Sequence, residues 1–249
     1  MSGRRVVVTG IGGELGSRVG ALLEEQTWIG EIVGIDANPP RRRLRRTVVH
    51  VVEPHQHDAI AQRIVDTNPH VIIHLGVWEP DARLSSHDAQ MYTQAFAHAV
   101  FEAALRVPAL ESVVLRSGIE VYGKFGHSPQ VPNEHQPLEP QSLFGHMLLG
   151  LEHKASELAI ARGTTATLLR LAPSAVEGNK KVVSEKFVHA ANSCIASVVR
   201  SSLSRTTPKA FPREGSAPKT SISRYRRFIG YSYLITGNVK SRRTLISGL

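Results

Sequence analysis

The stretch VVVTGIGGELGSRVG, residues 6–20, decides the fold of this chain. A β-branched run ends at Thr9, and a helical stretch begins near Glu14. In such a strand–turn–helix unit, three glycines permit a tight turn, a close approach of a pyrophosphate to the backbone, and close packing of helix on strand. The G-x-x-G-x-x-G spacing assigns these tasks in order to Gly10, Gly13 and Gly16. A Walker-type loop is excluded, because Ser17-Arg18 follows the last glycine where that loop needs Lys.

The same turn predicts a dinucleotide site. The second predicted strand ends at Asp36, 20 residues after Gly16. A carboxylate there accepts hydrogen bonds from an adenosine ribose and repels a 2′-phosphate, which favours NAD over NADP. The arginines of PPRRRLRR (39–46) argue the other way, and a glycine-rich turn without a ligand is the alternative to both. The residues predicted to bind the cofactor are Gly10, Gly12, Gly13, Glu14, Leu15, Gly16 and Asp36.

Apolar strands and amphipathic helices alternate over the first 175 residues. Continuous apolar strands are typical of a sheet covered on both faces, and alternation with helices is typical of parallel βαβ units. The fold class predicted is therefore α/β, a doubly wound parallel sheet of Rossmann type. The predicted strands are 5–10, 31–36, 47–52, 70–76, 112–118 and 166–172, and the predicted helices are 14–26, 58–65, 88–105 and 143–161.

Composition narrows the class of protein. The chain has 249 residues, of which 41% are apolar and 20% charged, as expected for a globular protein with a substantial core. A single cysteine, Cys194, excludes an internal disulfide framework and suits a reducing compartment. No run approaches 18 apolar residues, and the N-terminus lacks a signal-peptide core. We expect a cytoplasmic protein without a membrane span.

The charge is unevenly distributed along the chain. Residues 1–178 hold 16 Lys/Arg and 19 Asp/Glu, a net charge of −3, whereas residues 179–249 hold 14 and 2, a net charge of +12. This predicts a nucleotide-binding domain at 1–177 and a basic, Ser-rich, divergent or truncated segment at 178–249. We expect solvated loop or disorder there. A basic arm that binds nucleic acid or an anionic surface is the alternative.

Four motifs in order resemble the extended short-chain dehydrogenase/reductase family, the nucleotide-sugar epimerases and dehydratases. They are TGIGGELG (9–16), VIIHLG (71–76), SVVLRSGIEVYG (112–123) and PQSLFGHMLLGLE (140–152). The resemblance implies that Leu75, Gly76 and Ser117 also line the cofactor. It further implies a nucleotide-sugar ligand, and a homodimer formed through the helices at 88–105 and 143–161.

The resemblance also implies a catalytic set that this chain lacks. The family carries a Tyr and, four residues later on the same helix face, a Lys; those positions are Phe144 and Leu148 here. The family's Ser/Thr position is Gly118, with Ser117 beside it, and its Asn position aligns with Thr93. No catalytic member is intact. Among nearby polar residues, Tyr122 is expected to be structural, and His146 lies about 200° round the helix from Phe144.

Three functions follow as hypotheses. The favoured one is a catalytically degenerate family member that acts by binding NAD(P). The second is an active nucleotide-sugar epimerase, dehydratase or oxidoreductase with atypical catalytic residues. The third is an anion- or nucleic-acid-binding protein that acts through residues 179–249. No metal site is predicted, since His55 and His57 have no partners at a recognised spacing.

Overall fold

The computed structural model describes a central sheet flanked by helices. The described residues are 3–80, 84–123 and 136–171, with the short strands at 176–177, 180–181 and 234–240. The elements are β1 Arg4–Thr9, α1 Glu14–Glu24, β2 Ile29–Asp36, β3 Thr47–Val51, α2 His57–Thr67, β4 Val71–His74, α3 Ser86–Leu105, β5 Ser112–Gly118, a 3-10 helix Ile119–Tyr122, α4 Leu143–Arg162, β6 Thr165–Leu171, β7 Val176–Glu177, β8 Lys180–Lys181 and β9 Leu234–Lys240.

The strand order confirms the doubly wound fold. Within the described residues, the main sheet runs β3-β2-β1-β4-β5-β6-β9. The pairs from β3 to β6 are all parallel. Because the chain moves outward from β1 in one direction and then from β4 in the other, a crevice opens between their carboxyl ends. Ligands of open α/β sheets bind at such a switch point.

The central strands of the sheet, β1, β4 and β5, are buried on both faces, which explains their mostly apolar sequences. Successive side chains of a strand point to opposite faces. In β1, Val7 joins one apolar cluster, which also includes residues of α2, α3 and α4. Val6 and Val8 join a second cluster on the opposite face, against α1. All three valines are fully buried. The site residues at the strand ends therefore rest on a close-packed base.

Helix α4 is fixed at both ends by its own sequence. The Ser142 hydroxyl caps its first turn by accepting a hydrogen bond from the Gly145 N–H at 3.0 Å. Gly163, with a φ of 64°, ends the helix in the left-handed conformation. Leu148 and Leu151 lie buried on the inner side between these ends. The helix thus presents the stripe that begins at Phe144 to the sheet.

Two corrections concern the ends of elements and the basic segment. The predicted helices and strands begin and end within two residues of their observed bounds, and the differences are of the size that fraying ends commonly produce. The expectation of a wholly unstructured segment at 178–249 is wrong for Leu234–Lys240, which pairs antiparallel with β6. The physical reason is that β6 would otherwise offer an unpaired edge to solvent. The rest of the predicted basic arm lies largely outside the described residues.

Candidate functional site

The turn after β1 is built from glycines that no larger residue could replace without movement. Gly10 has a φ of 82°, and a Cβ there would lie 2.5 Å from the Gly76 backbone nitrogen. A Cβ on Gly16 would overlap the carbonyl oxygen of Gly10, and one on Gly12 would overlap that of Asn38. The turn therefore packs against β4 and β2 through backbone alone.

Gly13 differs from its neighbours because it faces open space. A Cβ there would meet only the Gly10 carbonyl oxygen, at an ordinary 3.6 Å. Gly13 is the N-cap of α1, and no side chain caps the helix. The first N–H groups of a helix need partners and carry partial positive charge, so they favour an anion. Gly13, which the protein leaves open, is thus the glycine that the sequence assigns to the close approach of a pyrophosphate.

Asp36 lies beside this turn at the end of β2. Its Oδ2 accepts a hydrogen bond from the Gly12 N–H at 2.9 Å, and its Oδ1 accepts one from the Asn38 N–H at 3.0 Å. Burial raises the pKa of the Asp36 carboxyl, while those N–H groups oppose the rise. Each carboxylate oxygen keeps acceptor capacity for a further donor such as a ribose hydroxyl.

The arginine-rich loop at 39–46 reaches the same turn. The Arg41 N–H donates to the Ser17 hydroxyl at 2.9 Å. The Glu14 carboxylate accepts from the Arg18 guanidinium at 2.5 Å and lies 3.6 Å from that of Arg42. The hydrogen bond from Arg18 holds the pKa of Glu14 below its usual range. These cations balance the negative charge of Glu14 beside the position where an anionic ligand would bind.

The residues after β4 complete the crevice wall. The Leu75 N–H donates to the Thr9 carbonyl at 2.8 Å, which joins the ends of β4 and β1. A Cβ on Gly76 would overlap the Phe96 ring. Behind them, Thr9 Oγ1 and His74 Nδ1 are 2.6 Å apart, and full burial lowers the pKa of His74 to about 3. The neutral imidazole is therefore a structural part of the wall.

The positions of the family's catalytic side chains meet in an apolar cluster. Phe144 and Leu148 pack in it with Val77 and Val121. Leu148 is 1% exposed, and a Cβ on Gly118 would lie 3.0 Å from its Cδ1. The structure thus brings three of the four aligned positions together. None of these three carries a group that exchanges protons.

Thr93, the fourth aligned position, forms a hydrogen bond with the backbone of the loop after β4. It is fully buried on α3, and its Oγ1 accepts a hydrogen bond from the Trp78 N–H at 2.9 Å. That bond fixes the loop after β4 against α3. Thr93 therefore positions the crevice wall.

A buried ion pair holds the base of the site. Glu152 Oε1 accepts from the Ser117 hydroxyl at 2.6 Å and from Arg170 Nε at 2.8 Å, and its Oε2 accepts from Arg170 Nη2 at 2.6 Å. Arg170 Nη1 donates to the Tyr122 hydroxyl at 2.6 Å, and the guanidinium lies 5.0 Å from that ring's centroid. The hydrogen bond and charge of Glu152 help to raise the pKa of Arg170 against the effect of burial. Ser117 and Tyr122 thus tie β5, α4 and β6 together.

Three charged residues near the end of β5, which the sequence analysis did not single out, interact with one another. Arg116 donates to the Val77 carbonyl at 3.0 Å and forms an ion pair with Glu79. Glu120 follows Gly118 by two residues, and burial raises the pKa of its carboxyl. One signal was available in the sequence: Arg116 is the only charged residue of β5.

His146 lies away from this cluster, as the helix geometry predicted. It is exposed and lines an open depression of about 470 Å³ between α2, α3 and α4, together with His57 and His98. Within the ranges described, no three His, Cys, Asp or Glu side chains group closely enough to hold a metal ion. No helix in those ranges is both long and apolar enough to span a membrane.

The family model for NAD-dependent epimerases and dehydratases matches residues 6–209. The chain belongs to the NAD-dependent epimerase/dehydratase family. The matched region extends past the predicted domain boundary at 177. No curated protein sequence matches the chain.

Solved structures similar to this chain share its fold. A UDP-galactose 4-epimerase is 24% identical with a TM-score of 0.54, and 65% of this chain covers 54% of that one. The Bordetella bronchiseptica enzyme WbmH in complex with NAD+ is 22% identical with a TM-score of 0.58, covering 74% and 60%. A short-chain dehydrogenase/reductase superfamily protein from Agrobacterium tumefaciens with bound NAD is 19% identical with a TM-score of 0.56, covering 82% and 63%. The matches thus span 54–63% of the length of these solved chains.

Proposed function

We propose that this family member binds NAD at the crevice between β1 and β4 and has lost the family's proton-transfer chemistry. One observation carries the proposal. The phosphate-binding turn keeps its geometry, while Phe144, Leu148 and Gly118 form an apolar cluster where the catalytic side chains belong. The protein would then act through its nucleotide-bound state, as a sensor or as a partner subunit.

The support for NAD binding is that the glycines of the turn after β1 have different surroundings. At Gly10, Gly12 and Gly16, the space that a Cβ would need is occupied by the protein's own backbone. Gly13 instead faces outward at the N-terminus of α1, which no side chain caps. That arrangement suits a pyrophosphate. Asp36 favours NAD over NADP by its charge. Two of the similar structures, the Bordetella enzyme and the Agrobacterium protein, contain NAD.

The support for degeneracy is the lack of proton donors on the α4 face. General acid–base help contributes roughly 10²–10⁴-fold to a rate. The phenyl ring of Phe144 cannot exchange a proton, and the buried Leu148 has no charge to lower a neighbouring pKa. Thr93 and Ser117 have hydroxyls, but each already has a protein partner. A nucleotide sugar is the proposed second ligand, in keeping with the family.

The test is calorimetric titration of NAD and of NADP into the full chain and into an Asp36→Arg variant. Saturable NAD binding that the variant loses or redirects to NADP supports the proposal. An Asp66→Arg variant is the matched control, because Asp66 is an exposed residue at the far end of α2. If neither nucleotide binds the unmodified chain, or if both variants behave alike, the proposed site is wrong.

A further inference from the structure

The depression of about 470 Å³ between α2, α3 and α4 is lined by basic side chains from all three helices. His57 comes from α2, His98 from α3, and His146 and Lys154 from α4. The His57 and His98 rings meet edge to face, with their centroids 5.9 Å apart. Among the described residues that line the depression, none is acidic. When the histidines are protonated, up to four positive charges therefore surround one cavity.

These charges have a counter-charge only at the edge of the depression. The Glu102 carboxylate lies 3.5 Å from His98 Nε2, one turn further along α3, and its side chain is 63% exposed. Within the described residues, neither His146 nor Lys154 has a hydrogen-bond or ion-pair partner. Like charges gathered without counter-charges repel one another, and a bound anion offsets that repulsion. The electrostatics of the depression thus favour an anionic ligand.

Gly150 provides space for such a ligand. It lies in the middle of α4, four residues from His146 and four from Lys154, on the same face of the helix. Glycine weakens a helix interior, and one use of a glycine is to let another group approach the backbone closely. A Cβ on Gly150 would meet no atom within 4 Å. No side chain of the described protein uses this space, so it is available to an external molecule.

The floor of the depression indicates the rest of the ligand. Met147 and Leu151 line it beside Gly150 and are 6% and 4% exposed. An apolar floor with a few basic groups is typical of sites for small organic ligands, and the volume is in their usual range. A phosphate monoester carries up to two negative charges and three acceptor oxygens. It therefore matches several basic donors better than a single carboxylate does.

We propose that this depression binds a phosphate monoester of a small aromatic or apolar molecule. The four basic side chains bind the phosphoryl oxygens, and the organic group packs on Met147 and Leu151 in the space beside Gly150. None of these residues is among those assigned to the NAD crevice. The inference therefore goes beyond the proposed function and does not depend on NAD binding.

Calorimetric titration of phenyl phosphate, inorganic phosphate and phenol into the full chain tests this site. The titrations are run at about pH 6, where histidine side chains carry positive charge. Phenyl phosphate should bind about tenfold more tightly than inorganic phosphate, because its ring buries apolar surface. Phenol, which lacks the phosphoryl group, should not bind measurably. No saturable binding of phenyl phosphate overturns the inference, as does an affinity that inorganic phosphate or phenol equals.

Variants of α4 locate the binding. Replacing His146 and Lys154 together by Ala should weaken phenyl phosphate binding about tenfold or more. The matched control is His153→Ala, an exposed histidine of the same helix that does not line the depression, and it should bind as the unmodified chain does. Equal losses in the double variant and in His153→Ala would overturn the inference.

Gly150→Leu separates occupancy of the depression from stability of the fold. Its side chain should fill the depression, abolish phenyl phosphate binding and leave the NAD titration unchanged. Its Tm should equal or exceed that of the unmodified chain, because leucine favours a helix more than glycine and its Cβ meets no neighbour. Phenyl phosphate binding that survives at full strength in Gly150→Leu would place the ligand elsewhere and overturn the inference.

Discussion

Replacing Glu152 by Gln should lower the free energy of unfolding far more than the loss of one exposed charge would. The Glu152 and Arg170 side chains are 2% and 8% exposed and share two hydrogen bonds. Glutamine keeps one oxygen but turns an NH2 group towards the guanidinium. Arg170 is then left buried without its counter-charge. Removing one partner of such a pair costs about 3–5 kcal/mol of the free energy of unfolding.

Urea unfolding of the full chain, followed by far-ultraviolet circular dichroism, measures this cost. Glu157→Gln is the matched control, because it removes the same charge from an exposed position on the same helix. Its effect should stay within about 0.5 kcal/mol. Replacing both Glu152 and Arg170 by Met should destabilise less than Glu152→Gln alone, since no charge is left unpaired. If Glu152→Gln and Glu157→Gln differ by less than about 1 kcal/mol, the ion pair does not hold the base of the site.

Two further predictions concern the crevice wall and the glycine turn. The pKa of His74 is 6.5 in the unfolded chain and about 3 in the folded chain. Between these two pH values, the unfolded chain binds a proton at His74 and the folded chain does not. Stability should therefore drop by up to about 1.4 kcal/mol per pH unit as the pH falls through that window. His74→Gln should lessen the slope measured by urea unfolding at several pH values, whereas a change at the exposed His98 should not; equal slopes would contradict the burial of a neutral His74. Gly16→Ala should cost about 1–3 kcal/mol in the same assay through overpacking, while Gly13→Ala should leave the fold intact and weaken NAD binding in calorimetry. The reverse pattern would mean that Gly13 does not face the pyrophosphate.

The glycine turn could be predicted because its geometry is local. Gly10 and Gly16 lie six residues apart, and their spacing reports a turn whose contacts are made mostly within one strand–helix unit. The end of β2 at Asp36 was predictable for a related reason, since the length of a βαβ unit is nearly fixed. Both predictions needed only a residue type at a known offset.

The rest of the site depends on contacts that no local pattern reveals. The partner of Glu152 is Arg170, on a different element, and nothing near either residue identifies the other. The Glu120 carboxyl folds back over Gly118 because that residue has no side chain, which is a three-dimensional consequence of a substitution two positions away. Strand β9 was missed for the same reason: its pairing joins Leu171 to Leu234 across a long basic stretch.

Hydride transfer is the most direct test of the central claim that this chain binds a dinucleotide without the family's chemistry. The full chain, shown by calorimetry to be saturated with NAD, is mixed with UDP-glucose, and the absorbance of reduced nicotinamide is followed over a single turnover. With Phe144 and Leu148 in place of proton-transfer groups, no reduced nicotinamide should form while NAD stays bound. Reduced nicotinamide in stoichiometric amount would contradict the claim and show that other residues of this crevice carry the reaction.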